Sequence, residues 1–166
     1  MSSLKKIQNK IQNFEQAKRT VQNWKLNNES IVFTNGCFDI LHLGHIDYLS
    51  KAKDLGSKLI VGVNSSESVQ KLKGPSRPIN STNSRSTLLA GFECIDLVIV
   101  FEDETPLNLI THLKPQILVK GGDYTFETTV GAKEVKSYGG DIKFIPFLSG
   151  YSTSSIVTKI QSFSKS

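Results

Sequence analysis

Cysteine, methionine and tryptophan are scarce in this 166-residue sequence, and long apolar runs are missing altogether. The two cysteines, Cys37 and Cys94, have no paired spacing, which excludes a disulfide framework and a zinc ribbon. No apolar stretch approaches the roughly 20 residues of a membrane-spanning helix. The basic N-terminus lacks the apolar core of a secretory signal. These absences predict a protein of the cytoplasm, where thiols stay reduced.

Acidic residues are outnumbered by basic ones, and the formal net charge is +5. Residues 1–30 contain six Lys or Arg and only two Glu, so most of the excess belongs to one segment. A solvated helix face explains such a cluster. Because no basic patch is interleaved with aromatic residues, we expect neither nucleic acid nor a membrane as a partner.

An apolar stripe at helical spacing runs through residues 4–26. Its members are Ile7, Ile11, Phe14, Val21 and Trp24. The stripe predicts an N-terminal amphipathic helix within residues 1–29, packed on the domain or on a partner subunit. A homodimer or higher homo-oligomer is therefore the expected state. Residues 30–166 are predicted to form one further domain.

Short apolar runs alternate with helix-like stretches after residue 30. Strands are predicted at 31–34, 58–63, 97–101, 116–119 and 142–145, and helices at 42–55, 85–93, 106–113, 131–138 and 153–163. In the helix at 42–55, Ile46, Leu49 and Ala52 are expected to face the core. This order predicts an α/β fold: a Rossmann-like, doubly wound, five-stranded parallel sheet with helices on both faces. Residues 64–83 are predicted to be a long functional loop.

Ligands of such sheets bind beyond the carboxyl ends of the strands, so the segment after the first strand is the first candidate site. It reads TNGCFDILHLGH from Thr34 to His45. Gly36 permits a tight turn. His42 and His45 lie on one face at the start of a helix, whose unpaired N–H groups suit a phosphate.

Three other interpretations of this segment remain open. A single histidine at a helix start is usually a polar surface residue. Cys37, Asp39, His42 and His45 could supply four zinc ligands, although they crowd into nine residues and show no second layer of partners. Cys37 beside His42 could form a thiol catalyst.

The run from Gly36 to His45 resembles the G-x-F-D-x-x-H-x-G-H element of the cytidylyltransferase-like nucleotidyltransferases. Six fixed positions in ten residues make this likeness far more specific than H-x-G-H alone. Over about residues 5–163, the ordered elements after the later strands are similar to the adenylyltransferases that activate D-glycero-β-D-manno-heptose 1-phosphate. Those elements lie at 63–65, 71–74, 77–80, 101–106, 118–124 and 150–156, with Arg85 between them.

The resemblance implies AMP transfer from ATP to that sugar 1-phosphate, with Mg²⁺ bound through the phosphates and no certain protein ligand. ADP-heptose would serve lipopolysaccharide or other surface-heptose synthesis. Such enzymes occur alone or as half of a bifunctional kinase, and the sequence leads us to expect the stand-alone form. A cytidylyltransferase acting on glycerol 3-phosphate or a similar phosphate, and a non-catalytic nucleotide-binding module, remain alternatives.

The resemblance, with the physical character of each element, predicts the site residues. The catalytic residues are His42, His45 and Lys73. The nucleotide-binding residues are Asn35, Gly36, Cys37, Phe38, Gly44, His45, Lys73, Gly122, Tyr151, Ser152, Thr153, Ser154 and Ser155. The substrate-binding residues are Asp39, Lys71, Arg77, Arg85 and Asp123, the last of which could equally hold ribose or magnesium. Without the resemblance, the lysines would be interpreted as solvated loop residues and the arginines as partners of surface carboxylates.

Overall fold

Runs rich in Val, Ile, Leu and Phe form the strands at the centre of the chain, and the computed structural model describes residues 1–163. The last three residues of the predicted 30–166 domain lie outside the described residues. The strands are β1 Ile11–Gln12, β2 Ile31–Gly36, β3 Lys58–Asn64, β4 Leu97–Phe101, β5 Ile117–Gly121 and β6 Asp141–Ile145. The helices are α1 Ser3–Gln8, α2 Phe14–Leu26, α3 Leu43–Lys53, α4 Ser66–Lys73, α5 Thr82–Ala90, α6 Leu107–Leu113, α7 Ala132–Ser137 and α8 Thr153–Phe163.

The strands form one parallel sheet in the order β1-β4-β3-β2-β5-β6. The predicted α/β class is confirmed, and each of the five predicted strands is found. The predicted strand number was one too low, because β1 pairs with β4 at the edge of the sheet. From β2 the chain proceeds to β3 on one side, and β5 and β6 lie on the other. The topological switch point therefore lies between β2 and β5.

Side chains alternate between the two faces of the sheet, as its pleat requires. The first core cluster covers one face under α2, α6 and α7, and the second covers the other face under α3 and α5. Ile31 and Phe33 belong to the first cluster and Val32 to the second. Because both faces are covered, the strands are nearly continuous runs of apolar residues.

The prediction of a single helix within residues 1–29 was wrong, because the structure divides this segment into two helices. Ile11 and Gln12 are extended and pair with Val98 and Ile99, so α1 and α2 are separate helices. Asn13 starts α2 with a capping box, in which it and Gln16 exchange side chain–backbone hydrogen bonds. Ala17 and Val21 of α2 are buried in the first core cluster. Packing of a partner subunit on this segment stays a prediction.

The predicted loop at 64–83 is also corrected, because it contains a helix. Ser65 accepts the backbone N–H of Ser68 and starts α4, and Ser81 caps α5 in the same way. Lys71 and Lys73 consequently lie on the last turn of α4 rather than in a loop.

Among residues 1–163, no helix combines the length and apolar character that crossing a membrane demands.

Helix α3 gives a direct test of its orientation on the sheet. Leu49 is fully buried in the second core cluster, whereas Ile46, which we expected to face inward, is 43% exposed. We predict that Leu49→Ala lowers the free energy of unfolding by about 2–5 kcal/mol. The matched control Ile46→Ala should lower it by about 1 kcal/mol or less. Urea denaturation measures both, and equal losses would contradict this orientation.

Candidate active site

A cavity of about 660 Å³ opens at the carboxyl edge of the sheet, at the switch point between β2 and β5. Fourteen of the residues predicted to form the site line it. They are Asn35, Gly36, Cys37, Phe38, Asp39, His42, Gly44, His45, Lys73, Arg77, Tyr151, Ser152, Thr153 and Ser154. The structure thus brings together elements that follow β2, β3 and β6.

The two histidines stand side by side at the first turn of α3, where His42 is the N-cap. Their ring centroids are 3.9 Å apart. The backbone N–H of His42 donates to Nδ1 of His45 at 3.3 Å. The neutral His45 ring therefore carries its proton on Nε2. Gly44 lies between them, where a Cβ would be only 3.0 Å from the His42 ring and 3.2 Å from Tyr151.

Both imidazoles are neutral at pH 7. Burial, with smaller contributions from the charges of His42 and Lys73, lowers the pKa of His45 to about 4. Burial also lowers the pKa of His42. Nδ1 of His42 is buried and has no hydrogen-bond partner among the described residues. The pair therefore offers the cavity neutral hydrogen-bonding groups rather than two fixed positive charges.

The four hydroxyl residues from Ser152 to Ser155, before and within α8, make different contacts. Ser152 accepts the backbone N–H of Ser155 at 3.0 Å and caps the helix. Thr153 donates to the carbonyl of Ile40 at 3.4 Å, which ties α8 to the segment after β2. Ser155 donates back to the Ser152 carbonyl and does not line the cavity. Ser154 lines the cavity beside the helix N-terminus, whose positive end favours an anion.

Asp39 is almost fully buried and holds the segment that follows α4. Its carboxylate accepts the backbone N–H groups of Ile79 and Asn80, and forms a 2.6 Å ion pair with Arg77. Burial alone would raise the pKa of Asp39, but these three donors outweigh it and hold that pKa below its usual value. Both oxygens are thus occupied, and Asp39 orders the cavity wall.

Arg85, which was predicted to bind substrate, lies behind the cavity wall in the structure. Its side chain is fully buried and does not line the cavity. Its guanidinium donates to the carbonyls of Cys37 at 2.7 Å, Asn64 at 2.8 Å and Asn80 at 3.1 Å. The Cys37 carbonyl follows β2, the Asn64 carbonyl is at the end of β3, and the Asn80 carbonyl precedes α5. Arg85 therefore joins three segments of the cavity wall from behind.

Four further predicted residues lie outside the cavity lining. Lys71 and Asp123 are exposed and do not reach it, and Ser155 faces its own helix turn. The backbone N–H of Gly122 donates to the carbonyl of Ile145 at 3.0 Å. Its positive φ of 75° and the nearby Phe147 ring explain the glycine without a nucleotide contact.

The zinc and thiol interpretations find no support in the site. Residues 1–163 contain no group of three or more His, Cys, Asp or Glu side chains placed to hold a metal ion. The carboxylate of Asp39 is bound to Arg77 instead. Burial raises the pKa of Cys37, against the opposing charges of Lys73, Arg85 and Arg77, so its thiol stays protonated.

Other lining residues were missed by the sequence prediction. Lys120, at the end of β5, is 9% exposed and was assigned no role. Its position after an apolar strand run is the signal that could have identified it. Tyr48 and Phe147 also line the cavity, with ring centroids 6.2 Å apart. No sequence signal distinguishes Tyr48 from a core aromatic residue, whereas Phe147 stands shortly before the Ser-Thr run.

A parallel sheet whose switch point gathers two helix N-termini and a histidine pair defines a nucleotide-binding α/β protein. The Cytidylyltransferase-like family model matches residues 33–159. The chain belongs to this family, and it is a nucleotidyltransferase enzyme.

The comparisons with individual proteins agree with this assignment. The bifunctional protein HldE of Trichlorobacter lovleyi is 52% identical over 151 residues, covering 91% of this chain and 31% of that protein. HldE of Syntrophotalea carbinolica is 54% identical over 132 residues, covering 80% and 27%. The chain thus spans about a third of the length of the curated relatives it matches.

A solved structure resembles the chain as well. The crystal structure of the lipopolysaccharide core biosynthesis protein from Thermoplasma volcanium matches it with a TM-score of 0.59 and 31% identity. The match covers 72% of this chain and 97% of that one.

The buried guanidinium of Arg85 leads to a stability prediction. Arg85→Met leaves the carbonyls of Cys37 and Asn64 without their donor, and should lower the free energy of unfolding by roughly 3 kcal/mol or more. Arg19→Met, on the exposed face of α2, is the control and should change it by less than about 0.5 kcal/mol. Thermal and urea denaturation provide the measurement. Unchanged stability with weaker substrate binding would restore Arg85 as a substrate contact.

The depressed pKa of His45 predicts a pH dependence of stability. The unfolded chain titrates near the ordinary value of 6.5 and the folded chain near 4, so the unfolded state binds more protons between these values. The stabilisation present above pH 6.5 is therefore lost as the pH falls toward 4. We expect the Tm to fall less between pH 7 and 5 in His45→Asn than in the wild type.

The control for this measurement is His112→Asn on α6, outside the cavity, which should show the wild-type fall in Tm. Because burial lowers the pKa of His42 too, His45→Asn should remove only part of the pH dependence. Parallel curves for the wild type and His45→Asn would contradict a neutral, buried His45.

Proposed function

We propose that the chain transfers AMP from ATP to D-glycero-β-D-manno-heptose 1-phosphate, giving ADP-heptose and pyrophosphate. One observation carries the proposal: the N-termini of α3 and α8, the His42–His45 pair and Lys73 line the same cavity. The choice of the acceptor sugar rests on the resemblance to heptose 1-phosphate adenylyltransferases. The names of the relatives, a bifunctional HldE and a lipopolysaccharide core biosynthesis protein, support a role in making a surface-heptose precursor.

Adenine is favoured over cytosine by the segment before α8. Cytidylyltransferases that act on glycerol phosphate have an arginine shortly before the Ser-Thr run, whereas this chain has Phe147, Leu148 and Ser149. Phe147 and Leu148 line the cavity, and an apolar wall suits a purine. We expect the reaction to take place in the cytoplasm, where ATP and sugar phosphates are available.

The proposed reaction needs no general base. A phosphate oxygen of the sugar 1-phosphate, already ionised at neutral pH, attacks the α-phosphorus of ATP. The new bond is the P–O–P link of ADP-heptose, and the bond between the α-phosphorus and the bridging oxygen breaks. Pyrophosphate leaves with that electron pair. The protein's task is to hold two polyanions in line and to stabilise the charge that develops.

The lining residues divide this task. Nε2–H of His45 donates a hydrogen bond toward the α-phosphate, while its Nδ1 is fixed by the backbone of His42. Lys73 supplies a positive charge from the end of α4, and Ser154 lies beside the positive end of α8. Fixed donors of this kind need little reorganisation when the transition state forms.

Magnesium is proposed as the counter-ion of the triphosphate. Two carboxylates line the cavity: Asp39, whose oxygens are already occupied, and Glu104, which is exposed. This set fits an ion that phosphate oxygens and water hold, with at most one protein carboxylate. When bound, Mg²⁺ would neutralise part of the phosphate charge.

The test is a pyrophosphate-release assay with ATP, Mg²⁺ and heptose 1-phosphate, followed by identification of the nucleotide sugar. CTP and glycerol 3-phosphate form the alternative arms. Formation of ADP-heptose supports the proposal, and preference for CTP would contradict the adenine assignment. Nucleotide binding without turnover in every arm would indicate a binding module.

In the same assay, His45→Ala should lower kcat about 100-fold or more, because it removes one preorganised donor. His112→Ala, which alters a histidine outside the cavity, should retain wild-type kcat. A circular dichroism spectrum checks that both variants fold. A fully active His45→Ala enzyme would eliminate the proposed role of this imidazole.

A further inference from the structure

Lys120 places a buried positive charge at the base of the cavity. It occupies the end of β5 with 9% of its surface exposed, and it lines the cavity. Its ammonium donates to the side-chain oxygen of Asn35 and lies 5.7 Å from the centre of the Tyr124 ring. Among residues 1–163 no carboxylate forms an ion pair with it.

Such an ammonium is incompletely satisfied by the protein. Lysine has three N–H donors, and Asn35 is the hydrogen-bond acceptor that the structure provides. Taking an ammonium out of water is costly unless an opposite charge compensates it. Burial accordingly lowers the pKa of Lys120 to about 8. An anionic ligand in the cavity would supply the missing partner.

Lys120 and the histidines lie toward opposite faces of the sheet. Along β5, Lys120 shares its face with Leu118 of the first core cluster, because alternate residues point the same way. Leu49 of α3 packs in the second core cluster, on the other face. The cavity is lined both by Lys120 and by the histidine pair, so it reaches residues from both sides of the sheet.

The cations of the cavity can then be assigned. Three lysine or arginine residues line it: Lys73, Arg77 and Lys120. Arg77 is paired with Asp39. The charge of Lys73 acts on His45, so Lys73 lies near the histidine pair, to which the proposed reaction assigns the triphosphate. Lys73 and Lys120 both lack an acidic partner in the described part of the chain, and of the two only Lys120 is buried.

We propose that Lys120 binds the phosphate of the acceptor substrate and holds it across the cavity from the triphosphate. This inference rests on the proposed adenylyl transfer, which requires a phosphate monoester to approach the α-phosphorus opposite the leaving pyrophosphate. It also replaces Lys71, which the structure places outside the cavity, as the substrate-binding lysine.

The decisive variant is Lys120→Met, which keeps the length of the side chain and removes its charge. The KM for heptose 1-phosphate should rise about 10- to 100-fold, because a hydrogen bond to a charged group is lost. The KM for ATP and the Kd of a non-hydrolysable ATP analogue should stay within about twofold. Lys120→Arg should recover part of the affinity for the acceptor, which a purely structural role would not predict.

Lys133→Met, on the exposed surface of α7, is the matched control and should leave both KM values unchanged. Melting temperatures identify any loss of folding, and Lys120→Gln replaces Lys120→Met if that variant does not fold. A rise in the KM for ATP alone, equal changes in both constants, or no change in either would overturn the inference. Wild-type turnover would then still support the proposed function.

Failure of the proposed function is visible in the wild type alone. If another phosphate monoester is the acceptor, its KM is measured in the same variants, and Lys120 keeps its assignment only if that KM rises. If the wild type transfers a nucleotide to no acceptor, the proposed function fails and the inference about Lys120 fails with it.

Discussion

The cavity wall depends on one buried guanidinium. Arg85 donates to the carbonyls of Cys37, Asn64 and Asn80, and so connects three separate segments at the edge of the sheet. Each of these carbonyls would be costly to bury without a donor. Asp39 adds a second junction by binding the backbone of Ile79 and Asn80. Helix α3, which carries the histidine pair, therefore begins after a segment that Arg85 holds in place from outside the cavity.

This arrangement explains why the histidine pair is neutral. The first turn of α3 is held by backbone contacts and by the close approach of Gly44 to Tyr151. The rings are thereby partly withdrawn from water, and burial lowers the pKa of both. A neutral imidazole with its proton on Nε2 donates to a phosphoryl oxygen without first binding a proton. Positive charge in the cavity is instead supplied by Lys73 and Lys120.

The sequence was sufficient to predict the fold and most of the residues that meet in the cavity, because both depend on local pattern. The apolar runs define the five main strands, and the glycine–histidine spacing after β2 identifies the first turn of α3. The sequence could not show which polar side chains are buried, and only the structure shows this. The buried position of Arg85 could not be predicted, because an arginine on a surface and one that donates to three carbonyls have the same sequence signature. The two-residue strand β1 was missed because so short a pairing leaves no periodicity.

The same reasoning separates Lys71 from Lys120. Lys71 lies in the element at 71–74 and Lys120 in the element at 118–124, but their surroundings differ. Lys71 lies on an exposed helix turn, where an ammonium is well solvated and gains little by binding an anion. Lys120 follows three strand residues whose apolar character buries it at the switch point, and there solvation is already lost before a ligand arrives. A phosphate bound at Lys120 thus gains a charge–charge interaction without a second desolvation of the lysine. A buried, uncompensated cation at the end of a central strand is therefore the stronger marker of an acceptor site than lysines in a polar segment.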